Sequence, residues 1–270
     1  MPTIEPGLRI RVRVGLLGRL DARTTSGRHI RLPGRHAQAL FALLVLTRRP
    51  RCREAIAADL WPDAGGGSAG SLRQALWLVR QGLAEAGIRP DGLLDIDADT
   101  VGIRIEARID LDVTAFETCL ADDAYGAETA IDLYQGDLLE GLGHDCFAAE
   151  RERLSDRFED ALAIVAERRL AADDPIGARS AAERLLERDL LREEAHAVLI
   201  ATHGLIGSRS QVVRQYRRLR DVLWRELDEA PLPDTEAIYR QALDRTMRRA
   251  MKRAVELDAE RQPILVAVGR

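Results

Sequence analysis

The stretch "SLRQALWLVRQGL" at 71–83 sets Arg73, Trp77 and Arg80 at intervals of four and three, with Gln74 and Gln81 beside them. On a helix these five share one side, and Arg and Gln carry the paired donors and acceptors that match guanine and adenine edges in a major groove. Leu72, Leu76, Val79 and Leu83 take the opposite side at the interval of a core-facing stripe. The chemistry on offer is base reading by Arg73, Gln74, Trp77, Arg80 and Gln81, and the bland alternative is a solvated polar face. Arg35, Arg48, Arg49, Arg51 and Arg53, which flank the preceding segments, are candidates for phosphate contact together with Ser71.

Other chemistries are less well served. The glycines at 65–70 lack the Lys of a phosphate loop and follow no suitable strand. "DIDADTVGIRIE" spaces Asp95, Asp97, Asp99 and Glu106 like calcium ligands, but Thr100 stands where that loop needs glycine. His196 and His203 are seven apart, not four, and read as packing or surface residues. Cys52, Cys119 and Cys146 are odd in number and far apart, which argues for buried or uncharged thiols and against a disulfide framework or zinc knuckle. No nucleophile, base and orienting group come together, so neither catalysis nor a cofactor or metal is expected.

At 270 residues the chain has room for two domains. Residues 1–105 hold 16 Arg against 10 Asp or Glu, whereas 106–270 hold 24 basic against 34 acidic residues. A basic first half suits a polyanion and an acidic second half suits another task. Lys252 is the only lysine, and the arginine bias fits bidentate recognition and a GC-rich genome equally well. The longest apolar run, "ALFALLVL", is too short to span a bilayer, and the opening residues do not form a secretory signal, so a cytoplasmic protein is expected.

The elements that must position the base-reading helix follow from periodicity. "LRIRVRV" alternates as a half-buried strand, and Leu8 to Leu32 read as a small antiparallel meander. "GRHAQALFALLVLT" and "REAIAADLW" read as helices, the second stopped by Pro62. Gly65–Gly70 read as a loop, Ser71 as the cap of a helix over 71–86, and "LLDIDADTVGIRI" as a hairpin. Such an order is that of a helix-turn-helix with a β wing, whose second helix lies in the major groove. From Asp112 on, amphipathic helices predominate. A shift of 34 residues lays Ala161, Ile164 and Val165 over Ala195, Val198 and Leu199, and Ala178, Ala182 and Leu185 over Val212, Tyr216 and Leu219. That is the tetratricopeptide period, with a plain helical bundle as the alternative. The fold class is an α+β winged helix-turn-helix domain followed by an all-α tetratricopeptide-like domain, divided as 1–106 and 107–247 with a tail at 248–270.

From Leu8 to Asp244 the sequence resembles the streptomycete antibiotic regulatory protein type of transcription activator, an OmpR-type winged helix followed by a bacterial transcriptional activator domain. "GRHIRLPGRHAQALFALLVL", "EAIAADLWPDA", "SLRQAL", "DLDVTAFE", "AIDLYQGDLLEGL", "LLREEAHAVLIATHGLIG" and "LPDTEAIYRQAL" carry the likeness. The resemblance implies promoter-repeat DNA as the partner of the first half, and polymerase or a second copy of the chain as partners of the second. Where that family's third helix commonly continues "SRLRRAL", this one reads "WLVRQGL", with Trp77, Leu78 and Gln81 in place of Ser and two Arg, and Asp97 and Asp99 at the wing tip.

Overall fold

The computed structural model describes residues 11–63, 67–122 and 126–261, and the expectations placed on Leu8, Arg9 and Ile10 lie outside them. Contacts divide the chain into two compact units, Met1–Phe158 and Glu159–Arg270. The boundary expected near 106 falls inside the first of these.

In unit 1, β1 (Arg11–Gly15) buries Val12 and Val14 and exposes Arg11 and Arg13, as its alternation dictates. It pairs antiparallel with β2 (Asp21–Thr24), and the chain returns through a bridge between Arg23 and His29. Helix α1 (Arg35–Thr47) is buried from Ala37 to Val45 on almost every side except Gln38, so it runs through the core instead of lying on it. It ends at Arg48, whose φ of 48° turns the chain toward β3 (Arg51–Cys52). Helix α2 (Arg53–Leu60) follows, and Pro62 lies just beyond its end. Of the two alternatives for the cysteines, burial does not hold for Cys52, which is exposed because its short strand runs along the edge of the sheet formed by the wing.

Helix α3 (Ser68–Glu85) starts three residues earlier than the sequence reading placed it. Ser71 is therefore not its cap: Gly67 is, without a side-chain bond, and the Ser71 hydroxyl reaches back to the Gly67 carbonyl at 3.5 Å. Of the loop expected at 65–70, Ser68, Ala69 and Gly70 are helical, and Gly65 and Gly66 lie outside the described residues. After the single turn α4 (Pro90–Leu93), β4 (Leu94–Ile96) and β5 (Thr100–Ile103) form the wing hairpin, to which β3 adds a third strand.

What the periodicity did not reveal is how unit 1 closes. Strand β6 (Arg108–Leu111) pairs parallel with β1, register Val12 to Ile109, so the whole winged helix is looped out between two neighbouring strands. Asp112, at the start of α5 (Asp112–Leu120), accepts backbone N–H groups of Leu16 and Leu17 at 2.8 Å each through one carboxylate oxygen and that of Val113 at 2.8 Å through the other. Burial raises the Asp112 carboxyl above its ordinary range, and these three donors pull it back down. Beyond α6 (Gly126–Leu133), the "GDLLEG" segment is not helical: Leu139 N donates to Leu16 O and Glu140 N to Gly18 O, both at 2.8 Å, with Leu138 and Leu139 fully buried. Strand pairing and these ties explain why the compact unit continues to Phe158 instead of stopping at the wing.

Unit 2 takes in the later part of α7 (Ala148–Ala171), then α8 (Pro175–Arg188), α9 (Glu193–Ile206), α10 (Arg209–Leu227) and α11 (Pro233–Arg261). Asp174 caps α8 by accepting from Gly177 N at 2.9 Å, and Gly207 ends α9 at φ 86°, a backbone state suited to glycine. The matched positions Ala161, Val165, Ala178, Ala182, Leu185, Ala195, Val198, Leu199, Val212 and Leu219 are all buried. Ile164 departs from the pattern at 41% exposure, and Tyr216 stacks on Tyr239 with ring centroids 4.0 Å apart. The buried His196 sits between α9 and α10: Gln215 Nε2 donates to its Nδ1 at 2.9 Å and its Nε2 bonds Leu190 O at 3.1 Å, which requires the neutral ring. Burial pushes its pKa down accordingly.

Candidate nucleic-acid interface

Helix α3 is held by its apolar stripe. Leu72, Ala75, Leu76, Val79 and Leu83 are buried against α1 and α2, and Gly82 lies so close to the Arg31 carbonyl that a side chain there would force the chain apart. Burying one such leucine contributes about 1.5–3 kcal/mol, enough to fix the rotation of the helix. The opposite side is thereby turned outward, with Arg73, Gln74, Trp77 and Gln81 exposed and Trp77 at 56%. Arg80 lies at its margin, half-buried, with its guanidinium 3.1 Å from Asp91. Gln81 donates to Glu85 at 2.9 Å. Among the described residues Arg73 makes no ion pair, and it is the arginine of this helix held ready for an outside acceptor.

The arginines proposed for phosphate contact divide into two kinds. Arg48 and Arg49 are exposed and make no ion pair among the described residues. Three others have internal work: Arg35 donates to Gly141 O at 3.1 Å, Arg51 pairs with Asp59 at 2.7 Å, and Arg53 donates to Asp97 O at 2.9 Å. The last ties α2 to the wing, because Arg53 N also donates to Asp99 O at 2.9 Å. Asp97 has a local explanation that its sequence context did not give. Its carboxylate accepts from Thr100 N at 2.6 Å, Asp99 N at 2.9 Å and Thr100 Oγ1 at 2.9 Å, forming the wing turn. Those bonds, Thr100 N first, hold its pKa below the usual range.

One feature beside α3 had no signal in the sequence. His36 stacks on Trp61 at 5.0 Å between ring centroids, and with Arg35, Gln74 and Leu78 they line an open hollow of about 610 Å³ at the start of the helix. Leu78 faces this hollow and is half-buried, so Trp77 is the exposed apolar side chain on this side of the helix. His144 stands edge-on to His36 at 5.2 Å, and burial lowers its pKa. Nearby, burial and Asp59 push the Cys146 thiol up to about 11, which leaves it unreactive at neutral pH.

The comparisons with known proteins bear on both parts. Residues 113–243 match the bacterial transcriptional activator domain. No curated protein matches the chain in sequence. A solved structure of Mycobacterium tuberculosis EmbR in complex with a low-affinity phosphopeptide is similar with a TM-score of 0.69 at 21% identity, over 94% of this chain and 72% of that one, a likeness of fold. Residues 113–243 thus carry the bacterial transcriptional activator domain match, behind a first part whose described residues form a winged helix.

Proposed function

We propose that the winged helix binds duplex DNA with α3 in the major groove, Arg73 and Gln74 reading base edges and Arg48 and Arg49 contacting phosphate. The observation that carries this is the exposed side of α3, where Arg73 and Gln74 project from a helix whose rotation is fixed by its buried stripe. Trp77 lies between them and Gln81, within reach of thymine methyls or sugar. The helical region, in this reading, carries the protein contacts of an activator, to polymerase and to further copies of the chain on promoter repeats, and the protein acts in the cytoplasm. No helix among the described residues is long and apolar enough to cross a membrane.

The test is selection of duplexes from a random pool by the full chain, followed by titration at rising salt. Log affinity should fall linearly with log salt, at a slope near −0.9 for each phosphate neutralised. A chain that enriches no sequence and retains no duplex at low salt does not act through DNA. A second reading has its own observation: Arg80 is paired with Asp91 and Gln81 with Glu85, leaving Trp77 prominent on a partly neutralised face. In that reading the winged helix is a protein-contact module of a signalling protein. Acrylamide quenching of a variant keeping Trp77 as its sole tryptophan separates the two, since protection by DNA alone supports the groove.

A further inference from the structure

Two exposed faces of unit 2 answer each other in charge. The first is the outer side of α10. Trp224 is 65% exposed there, and Arg214, Arg217 and Arg218 are exposed with no ion pair among the described residues. Among the described residues Arg220 and Arg225 pair only with their own neighbours, Asp221 and Glu226. This positive face stands in the half of the chain where 34 acidic residues outnumber 24 basic ones. A solvated Arg surface is ordinary, but an exposed Trp at the end of one is not, because an indole and arginines together are the residues on which binding energy concentrates.

The second face is a cleft of about 760 Å³ between the end of α7, α9 and the start of α11. Val198, Ala201, Leu205 and Ile238 form its apolar lining. Glu167, Asp173 and Asp234 stand around it with no ion pair among the described residues. Glu193 and Glu194 add to the rim, although Glu193 already accepts from Leu232 N at 2.7 Å and Glu194 from Arg192 at 2.7 Å. Among the described residues Arg245 is the one cation in the lining. A cleft apolar below and acidic around selects a guest that is apolar at its centre and basic around it.

The outer face of α10 offers an exposed indole next to a run of arginines, and α10 contributes no residue to the cleft. We propose that Trp224 and the arginines around it on one copy of the chain seat in the acidic cleft of a second copy. Because the two faces differ, the contact is head-to-tail: each copy uses its knob on one neighbour and its cleft on another. This gives the copy-to-copy contact of the reading above its surface and partner. It rests on that element alone and not on DNA binding.

Sedimentation velocity of the full chain without DNA tests it. At about 50 mM salt the chain should form species larger than the monomer, and at about 500 mM, where the Debye length is short, it should revert to monomer. Arg214→Glu with Arg217→Glu and Arg218→Glu should sediment as monomer, as should Glu167→Arg with Asp173→Arg. An equal mixture of the two should give a dimer and nothing larger, since one intact knob and one intact cleft remain. Trp224→Ala should weaken association about tenfold or more with all charges in place. Neutral changes, Glu167→Gln with Asp173→Asn, guard against a folding defect and should weaken it in the same direction. A wild-type chain monomeric at every concentration, or a mixture that stays monomeric, overturns the proposal. So does an α10 variant that still associates but has lost duplex DNA, a result that assigns the arginines to nucleic acid.

Discussion

In unit 1 a single carboxylate and a parallel strand pair join positions 96 residues apart, Asp112 to Leu16, whereas in unit 2 the helices α8, α10 and α11 all pack on α9 within one run of sequence. The first arrangement depends on a few specific ties across a long loop, whose closure costs entropy that those ties must offset. The second spreads its stability over many small apolar contacts such as Ile200, Val212 and Ala242. Breakage should therefore be abrupt in unit 1 and graded in unit 2.

Truncation should separate them most sharply. A fragment ending at 106 lacks β6 and Asp112, so β1 loses its parallel partner and two buried N–H groups lose their acceptor. Such a fragment should show no cooperative thermal transition by circular dichroism, while a fragment ending at 158 should melt in one step. Equal melting of both would show that the winged helix closes without β6.

A smaller version of the same break is Asp112→Ala, which leaves the N–H groups of Leu16, Leu17 and Val113 to find other partners. At about 1–3 kcal/mol for each buried group left unpaired, a loss of about 3 kcal/mol or more is expected in chemical denaturation of the first unit, part of it recovered by Asp112→Asn. The carboxyl's raised pKa has its own sign. Its contribution is most favourable below the unfolded value and declines as pH rises through the folded one. A loss under 1 kcal/mol would remove Asp112 from the closure.

In unit 2 the corresponding lever is His196. Its folded pKa is depressed by burial, so its contribution is complete above the unfolded value near 6.5 and is lost as pH falls from there toward the folded value. The transition of unit 2 should move down in temperature on acidification, and His196→Gln should flatten that dependence. An unchanged slope in the variant would place the proton uptake elsewhere, with His203, whose pKa burial also lowers, the next group to replace.

The same contrast explains what could be read from residues alone. The 34-residue recurrence led directly to the buried faces of α7 to α10, because local packing writes itself into the spacing of Ala182, Leu185, Val212 and Leu219. Helix α3 and the wing were legible for the same reason, down to the outward turn of Arg73 and Trp77. The pairing of β1 with β6 was not, since "RIDL" carries no mark of the strand it will join. Nor was the start of α3, where Ser71 looked like a cap but three residues before it were helical. Arg51, Arg53 and Arg80 counted as free charge in the sequence because Asp59, Asp97 and Asp91 come near them only in the fold.

The proposed DNA contact separates arginines spent inside the molecule from Arg48, Arg49 and Arg73, which are left to meet the duplex. It is tested most directly by measuring Arg73→Ala and Arg49→Ala side by side on a selected duplex and on a random one. Arg73→Ala should lose about 1–3 kcal/mol on the selected sequence and much less on the random one, while Arg49→Ala weakens both alike and lowers the salt slope by about one. Equal loss on both duplexes for Arg73→Ala would contradict the assignment of α3 as the reader of bases.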